Sequence, residues 1–159
     1  MIVVVQNRQR ARRVAAPTLR RIAGTLLRDL LRDEEAELGI HLVEPEEMAA
    51  VNATYLGHEG STDVISFDHN SPDDPPRSAQ RPLYGELFIC VVEAMKFARE
   101  FGTTWQSEVV RYVVHGVLHL RGYDDLEPAL RRAMKREENR LMRALEKRFA
   151  FASLAKHDP

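Results

Sequence analysis

Residues 107–125 read "SEVVRYVVHGVLHLRGYDD", and the rest of the chain can be organised around this run. Its first part has helical periodicity, with Ser107 placed as an N-cap and Gly122 as the stop. Residues four apart in an α-helix sit about 40° apart around the axis and about 6 Å along it. His115 and His119 therefore leave one face and can converge on one ion, and neutral imidazole nitrogen is a good ligand for zinc and similar metals. Gly116 between them is a poor helix former, costing about 1 kcal/mol against alanine. The expectation is that its missing side chain leaves room beside the metal. Gly122 can take a left-handed conformation and turn the chain back, carrying a further ligand to the same point.

Two aspartates follow that turn. Asp125 stands at the spacing His-x3-His-x2-Gly-x2-Asp, which parallels the metal-binding run of the metzincin proteases with a carboxylate in place of the last histidine. Asp124 is the other candidate, as a direct ligand or as the acceptor of an imidazole N–H. Three protein ligands would leave a coordination position for water, the arrangement of a catalytic rather than a structural site. A peptidase of this type places a glutamate general base beside the first histidine, and here that position is Gly116. The metal survives this loss and the peptidase base does not. Metal-bound water could still attack a phosphodiester.

Outward from the motif, "MIVVVQ" reads as a first strand, "GIHLVE" (39–44) as a second, "TDVISFD" (62–68) as a third and "GELFICVV" (85–92) as a central fourth. A helix follows Pro17, with Leu19, Ile22, Ala23, Leu26, Leu27, Leu30 and Leu31 on an apolar stripe and Arg20, Arg21, Arg28 and Arg32 mostly off it. Residues 45–55 form a short helix opened by Pro45. "VEAMKFAREFG" is a helix ending at Gly102, and 127–149 is a long amphipathic helix with Pro128 in its first turn. The loop 69–82 carries four prolines, and long loops in compact domains tend to be functional. Strands come mostly first and helices last. That order predicts an α+β fold: one domain over residues 1–150, about four strands in a small mixed sheet, about five helices, and a zincin-like metal-binding helix. Residues 151–159 are expected to form a flexible tail.

The chain has 159 residues, is 44% hydrophobic and 30% charged, and carries a formal net charge of −1. This is the composition of a globular domain rather than a disordered or wholly basic one. The charge is uneven. Residues 1–32 hold eight arginines against Asp29, residues 33–100 hold fifteen acids against four bases, and residues 101–159 hold eleven bases against eight acids. Basic ends leave a polyanionic partner open. The single cysteine, Cys90, permits no internal disulfide and reads as a buried small apolar residue. The apolar start is too short for a signal peptide, and no stretch approaches a membrane span. A cytoplasmic protein without a membrane partner is the expectation.

"HGVLHLRGYDD" (115–125) resembles the signature of the YbeY family of bacterial endoribonucleases, His-Gly-x-Leu-His-Leu-x-Gly-Tyr-Asp-His, and differs only at its last position. "NATYLGHEGSTDVISF" (52–67) resembles the family's Asn-x-x-Tyr…Thr-Asp-Val-Leu-Ser-Phe segment, and "GELFIC" (85–90) its Gly-Asp-Ile strand. The resemblance implies one zinc-type ion held by His115, His119 and Asp125. It implies a metal-dependent endonuclease for single-stranded RNA, acting in 3′ maturation of small-subunit (16S) ribosomal RNA and in ribosome quality control. Ribosomal RNA and the small ribosomal subunit are the implied partners.

Two positions depart from the family. Asp125 replaces a histidine, which adds negative charge at the metal and can shift its preference toward harder ions. Leu56 stands where many members carry an arginine for the phosphate. Arg121 is the nearest basic candidate by sequence, and its alternative is a solvent-facing turn residue. Thr62, Asp63 and Ser66 could line the metal cleft, or Thr62 and Asp63 could instead hydrogen-bond a strand entry. Of these, Arg121 and Asp63 are the candidate catalytic helpers. His41, His58, His69 and His157 are not expected to be ligands. Trp105 and Tyr112 could stack on bases, but core packing is their expected role. Two other functions stay open: a zincin-like protease with its base supplied from elsewhere, and a non-catalytic ribosome-assembly factor in which the metal only staples the turn.

Overall fold

In the computed structural model, residues 1–57, 62–70 and 81–155 are described. The β-branched run at the start forms β1 (Ile2–Asn7), which pairs in parallel with β2 (Glu37–Val43). β2 pairs in parallel with β4 (Tyr84–Cys90), and β3 (Val64–Asp68) closes the other edge antiparallel to β4. The order β1-β2-β4-β3 is a mixed four-stranded sheet, with β4 interior as its apolar sequence requires. Alternation along the strands divides the two faces. Leu38, Ile40, Leu42, Leu87 and Ile89 enter the core, while Val4, Gln6, His41, Tyr84 and Glu86 stay on the open face.

The buried face is covered by α1 (Ala16–Thr25) and α4 (Trp105–Leu120). α1 continues into a π turn at Leu26–Leu30 that keeps Leu26 and Leu27 in the core. Pro45 opens α2 (Pro45–Val51), whose Met48 joins Val43, Ile65 and Cys90 in a smaller apolar cluster. α3 (Val91–Phe101) follows β4 directly, so the apolar run 85–92 breaks into strand and helix at Cys90. α5 (Pro128–Glu146) lays Met134, Leu141, Met142 and Leu145 against the core.

α4 starts two residues before the expected cap. Thr104, not Ser107, is the N-cap, and its hydroxyl oxygen accepts the Ser107 N–H at 3.2 Å. The expected flexible tail is also corrected in part. Phe151–Leu154 form a 3-10 turn, Leu154 is fully buried, and Ala155 bridges to Val14. One leucine in the core holds that segment, against what its terminal position suggested. Residues 156–159, and the loop residues 71–80, lie outside the described residues.

Gly116 has a different role from the expected one. A side chain there would meet Leu87 Cδ2 at 2.6 Å, so the missing Cβ lets α4 lie close on β4. Its open side faces the sheet, not the space around the histidines.

Candidate metal centre

α4 presents His115 and His119 from one face, with their rings edge to face at 4.7 Å between centroids. Each ring is oriented through its Nδ1. The Tyr123 carbonyl oxygen lies 3.1 Å from His119 Nδ1, and a carbonyl can only accept, so that nitrogen carries the proton. Glu138 Oε1 lies 2.9 Å from His115 Nδ1, and a carboxylate imposes the same tautomer. Both Nε2 lone pairs then point toward a common place, 3.2 Å apart. Two lone pairs at that distance need a cation or a proton between them.

The third group arrives through the turn. Gly122 adopts φ +100°, a left-handed conformation that a side chain would strain. The Gly122 N–H donates to the His119 carbonyl and the Tyr123 N–H to the Leu118 carbonyl, which closes the helix end. The reversal places Asp125 Oδ2 3.6 Å from His119 Nε2 and 3.9 Å from His115 Nε2. His115, His119 and Asp125 form the group that could hold a metal ion among the described residues. Zinc bonds of 2.0–2.1 Å at tetrahedral angles need ligand atoms about 3.3 Å apart. The observed sides of 3.2, 3.6 and 3.9 Å bracket that size with the longest about 0.6 Å over it, so the donor set fits such an ion after a small inward shift of Asp125. Asp124 is turned to the backbone, where its Oδ1 accepts the Leu126 N–H at 2.9 Å.

Behind the trio stands a residue that reading the sequence did not single out. Glu138 is almost wholly covered, with its side chain 4% exposed. Burial alone would raise its pKa. Hydrogen bonds from His115, Lys135 and Arg111 outweigh that and hold it at about 2. The Arg111 and Lys135 contacts measure 2.8 and 3.0 Å. The signal was present in the sequence: Glu138 is a lone carboxylate on the stripe of Met134, Leu141 and Leu145.

A cleft of about 390 Å³ opens beside His119, lined by Asn52, Leu56, Thr62, Val64, Ile65 and Ser66. Ser66 thus lines the cleft, and Thr62 takes the first of its two expected positions. Asp63 does not join the ligands. Its Oδ1 accepts the Val64 N–H at 2.8 Å and its carbonyl accepts the Cys90 N–H, so it fastens the start of β3. Arg121 is neither solvent-facing nor directed at the trio. Its side chain is 17% exposed and its Nη1 lies 3.3 Å from Asp33 Oδ2, which also accepts the Leu83 N–H at 2.8 Å. The buried carboxylate explains this, since it draws the one cation the helix end can offer.

The remaining histidines lie elsewhere. His41 and His69 each place Nε2 2.7 Å from one oxygen of Glu86 on the open sheet face. Arg8 Nη1 stands 3.0 Å from His41 Nδ1. A guanidinium only donates, so Nδ1 accepts and the His41 Nε2–H donates to Glu86. The hydrogen bond from His41 leads in holding the Glu86 carboxyl below its ordinary range. His58 and His157 lie outside the described residues. Trp105 packs against the core and Tyr112 is buried in it, as expected.

The fold and the site define a small α+β domain in which two histidines and one carboxylate meet at a helix end, a group that could hold a metal ion. The family model for Endoribonuclease YbeY matches residues 4–146, and the chain belongs to that family. It is 38% identical over 109 residues to an endoribonuclease YbeY of Neisseria meningitidis serogroup B, covering 69% of this chain and 64% of the relative. It is 38% identical over 115 residues to that of Methylococcus capsulatus (72% and 74% covered) and 33% identical over 151 residues to that of Frankia casuarinae (89% and 73%). The match thus spans just under two thirds of the Neisseria relative's length. The solution structure of TM1509 from Thermotoga maritima superposes with a TM-score of 0.65 at 23% identity, covering 100% of this chain and 98% of that one, a likeness of fold. Among the described residues, no helix is long and apolar enough to cross a membrane.

Proposed function

We propose that this chain is a metal-dependent endoribonuclease specific for single-stranded RNA. The proposal includes action in 3′ maturation of small-subunit ribosomal RNA and in ribosome quality control, with ribosomal RNA and the small subunit as partners in the cytoplasm. The observation that carries it is the aim of two imidazole Nε2 atoms and one carboxylate oxygen at a common point, each imidazole locked from behind by an acceptor on its Nδ1. Family membership supports RNA as the substrate class.

His115, His119 and Asp125 would hold the ion, for which zinc fits the ligand types and spacing. A divalent ion there supplies Lewis acidity, polarising water and offsetting charge on a phosphodiester. The chain's own contribution is to fix the donors: the Tyr123 carbonyl and Glu138 orient the rings, and the Gly122 turn sets the carboxylate. The cleft beside His119 offers Asn52, Thr62 and Ser66 as polar groups for a substrate strand. Gly116 faces Leu87, so no glutamate base stands at the position a peptidase uses, which favours the nuclease reading over the protease one.

The test is His119→Ala. Metal content by mass spectrometry and cleavage of single-stranded RNA should fall together. Full cleavage by a metal-free His119→Ala protein would overturn the proposal.

A further inference from the structure

We infer that Arg131 and Lys135 of α5 bind the phosphates of the substrate strand beside the trio. This rests on the nuclease reading and adds to it which side of the site takes the RNA backbone.

Among the described residues, those lining the cleft beside His119, Leu56 included, carry no formal charge. The α5 side of the trio differs. Arg131 Nε donates to the Asp125 carbonyl at 3.1 Å, so its charge lies beside a ligand residue and rests on a neutral acceptor. Lys135 Nζ lies 3.0 Å from Glu138 Oε2, while the other oxygen of that carboxylate holds His115 Nδ1. Lys135 shares Glu138 with Arg111, so two cations meet one anion and positive charge is left over. The Lys135 side chain is also 61% exposed, which leaves its ammonium accessible from solvent.

Arg131 and Lys135 are four apart on α5, so they stand about 6 Å apart along its axis on one side. That spacing suits neighbouring phosphates of an extended strand. An RNA strand crossing the metal centre would set its backbone along α5 and its sugars and bases toward Asn52, Thr62 and Ser66 in the cleft beside His119. The chain's net charge of −1 hides this, because the acids that balance it are concentrated in residues 33–100.

The experiment uses full-length, metal-free protein in chelator and a short fluorescein-labelled single-stranded oligoribonucleotide. Affinity is read by anisotropy as salt is varied. Each lost phosphate contact should flatten the slope of log Kobs against log salt by about 0.7. Arg131→Gln/Lys135→Gln should therefore flatten it by about 1.4 and weaken binding at least about tenfold. Arg131→Lys/Lys135→Arg should keep the wild-type slope, which excludes a folding defect as the cause. Arg20→Gln/Arg21→Gln removes the same charge from the exposed side of α1 and should leave the slope unchanged. In the metal-loaded enzyme, the α5 glutamine variant should retain its metal and lose kcat/KM.

An unchanged slope in the α5 glutamine variant overturns this inference while the nuclease reading stands, provided wild type binds and cleaves. An equal loss in the α1 pair also overturns it, since contact would then be diffuse. Failure of the metal-free wild-type protein to bind the oligonucleotide overturns this inference alone, whereas failure of the metal-loaded wild type to cleave single-stranded RNA overturns the nuclease reading and this inference with it.

Discussion

Glu138 Oε1 lies 2.9 Å from His115 Nδ1 and joins α5 to the face of α4 that presents His115 and His119. The contact fixes Nε2 as the imidazole nitrogen that would face an ion held by the trio. It also explains why an acid sits on the apolar stripe of a core helix. Glu138→Gln keeps the shape but can offer His115 only an amide oxygen, and outer partners of this kind are worth about 10–100-fold in metal affinity. We expect zinc affinity, measured by competition with a chromophoric chelator, to fall within that range. Glu138→Ala also removes the carboxylate partner of Arg111, which keeps Asn139, and should cost about 1–2 kcal/mol of unfolding free energy in urea. Unchanged affinity in both variants would show that His115 needs no such support.

Metal should stabilise the folded chain, because its ligands converge only after the turn at Gly122 forms. A ligand held at a hundred times its Kd adds about 2.7 kcal/mol. For a domain of this size that amounts to roughly 5–10 °C in Tm. Scanning calorimetry with and without chelator should show this shift, and Asp125→Ala should abolish most of it. Asp125→His restores the ligand type in the family signature and should preserve the shift. Equal Tm values with and without metal would argue against a bound ion.

Gly116→Ala should destabilise the protein by about 1–3 kcal/mol through overpacking on Leu87, while leaving the metal content intact. Leu87→Ala opens a cavity and is costly by itself, at about 2–5 kcal/mol. The methyl group added by Gly116→Ala would partly fill that cavity, so the double variant should be less damaged than the sum of the two. Urea titrations of all four proteins form the cycle. Additive losses would mean that the two residues do not meet.

Leu154→Ala should cost about 2 kcal/mol or more, since the side chain is fully buried. A loss below about 0.5 kcal/mol in chemical denaturation is what a frayed terminus would give.

Arg121→Gln should leave cleavage unchanged and lower stability by about 1 kcal/mol, because it removes a partner of the buried Asp33 but leaves the Leu83 N–H in place. A fall in kcat with stability unchanged would return Arg121 to the catalytic site.

By itself the sequence determined most of the strands and helices and which three residues, His115, His119 and Asp125, gather at the end of α4. Each rests on short-range regularities: period-two alternation, helical stripes, and a run of eleven residues that contains its own turn. Helix pitch and one left-handed glycine suffice to gather His115, His119 and Asp125. Tertiary structure decided what lies around them. Glu138 reaches His115 across 23 residues, and Asp33 captures Arg121 across 88. Leu87 accounts for Gly116, and the core captures Leu154. These pairings depend on how whole elements dock, and docking is driven by burial of apolar area, which is non-directional and leaves no spacing in the chain to read.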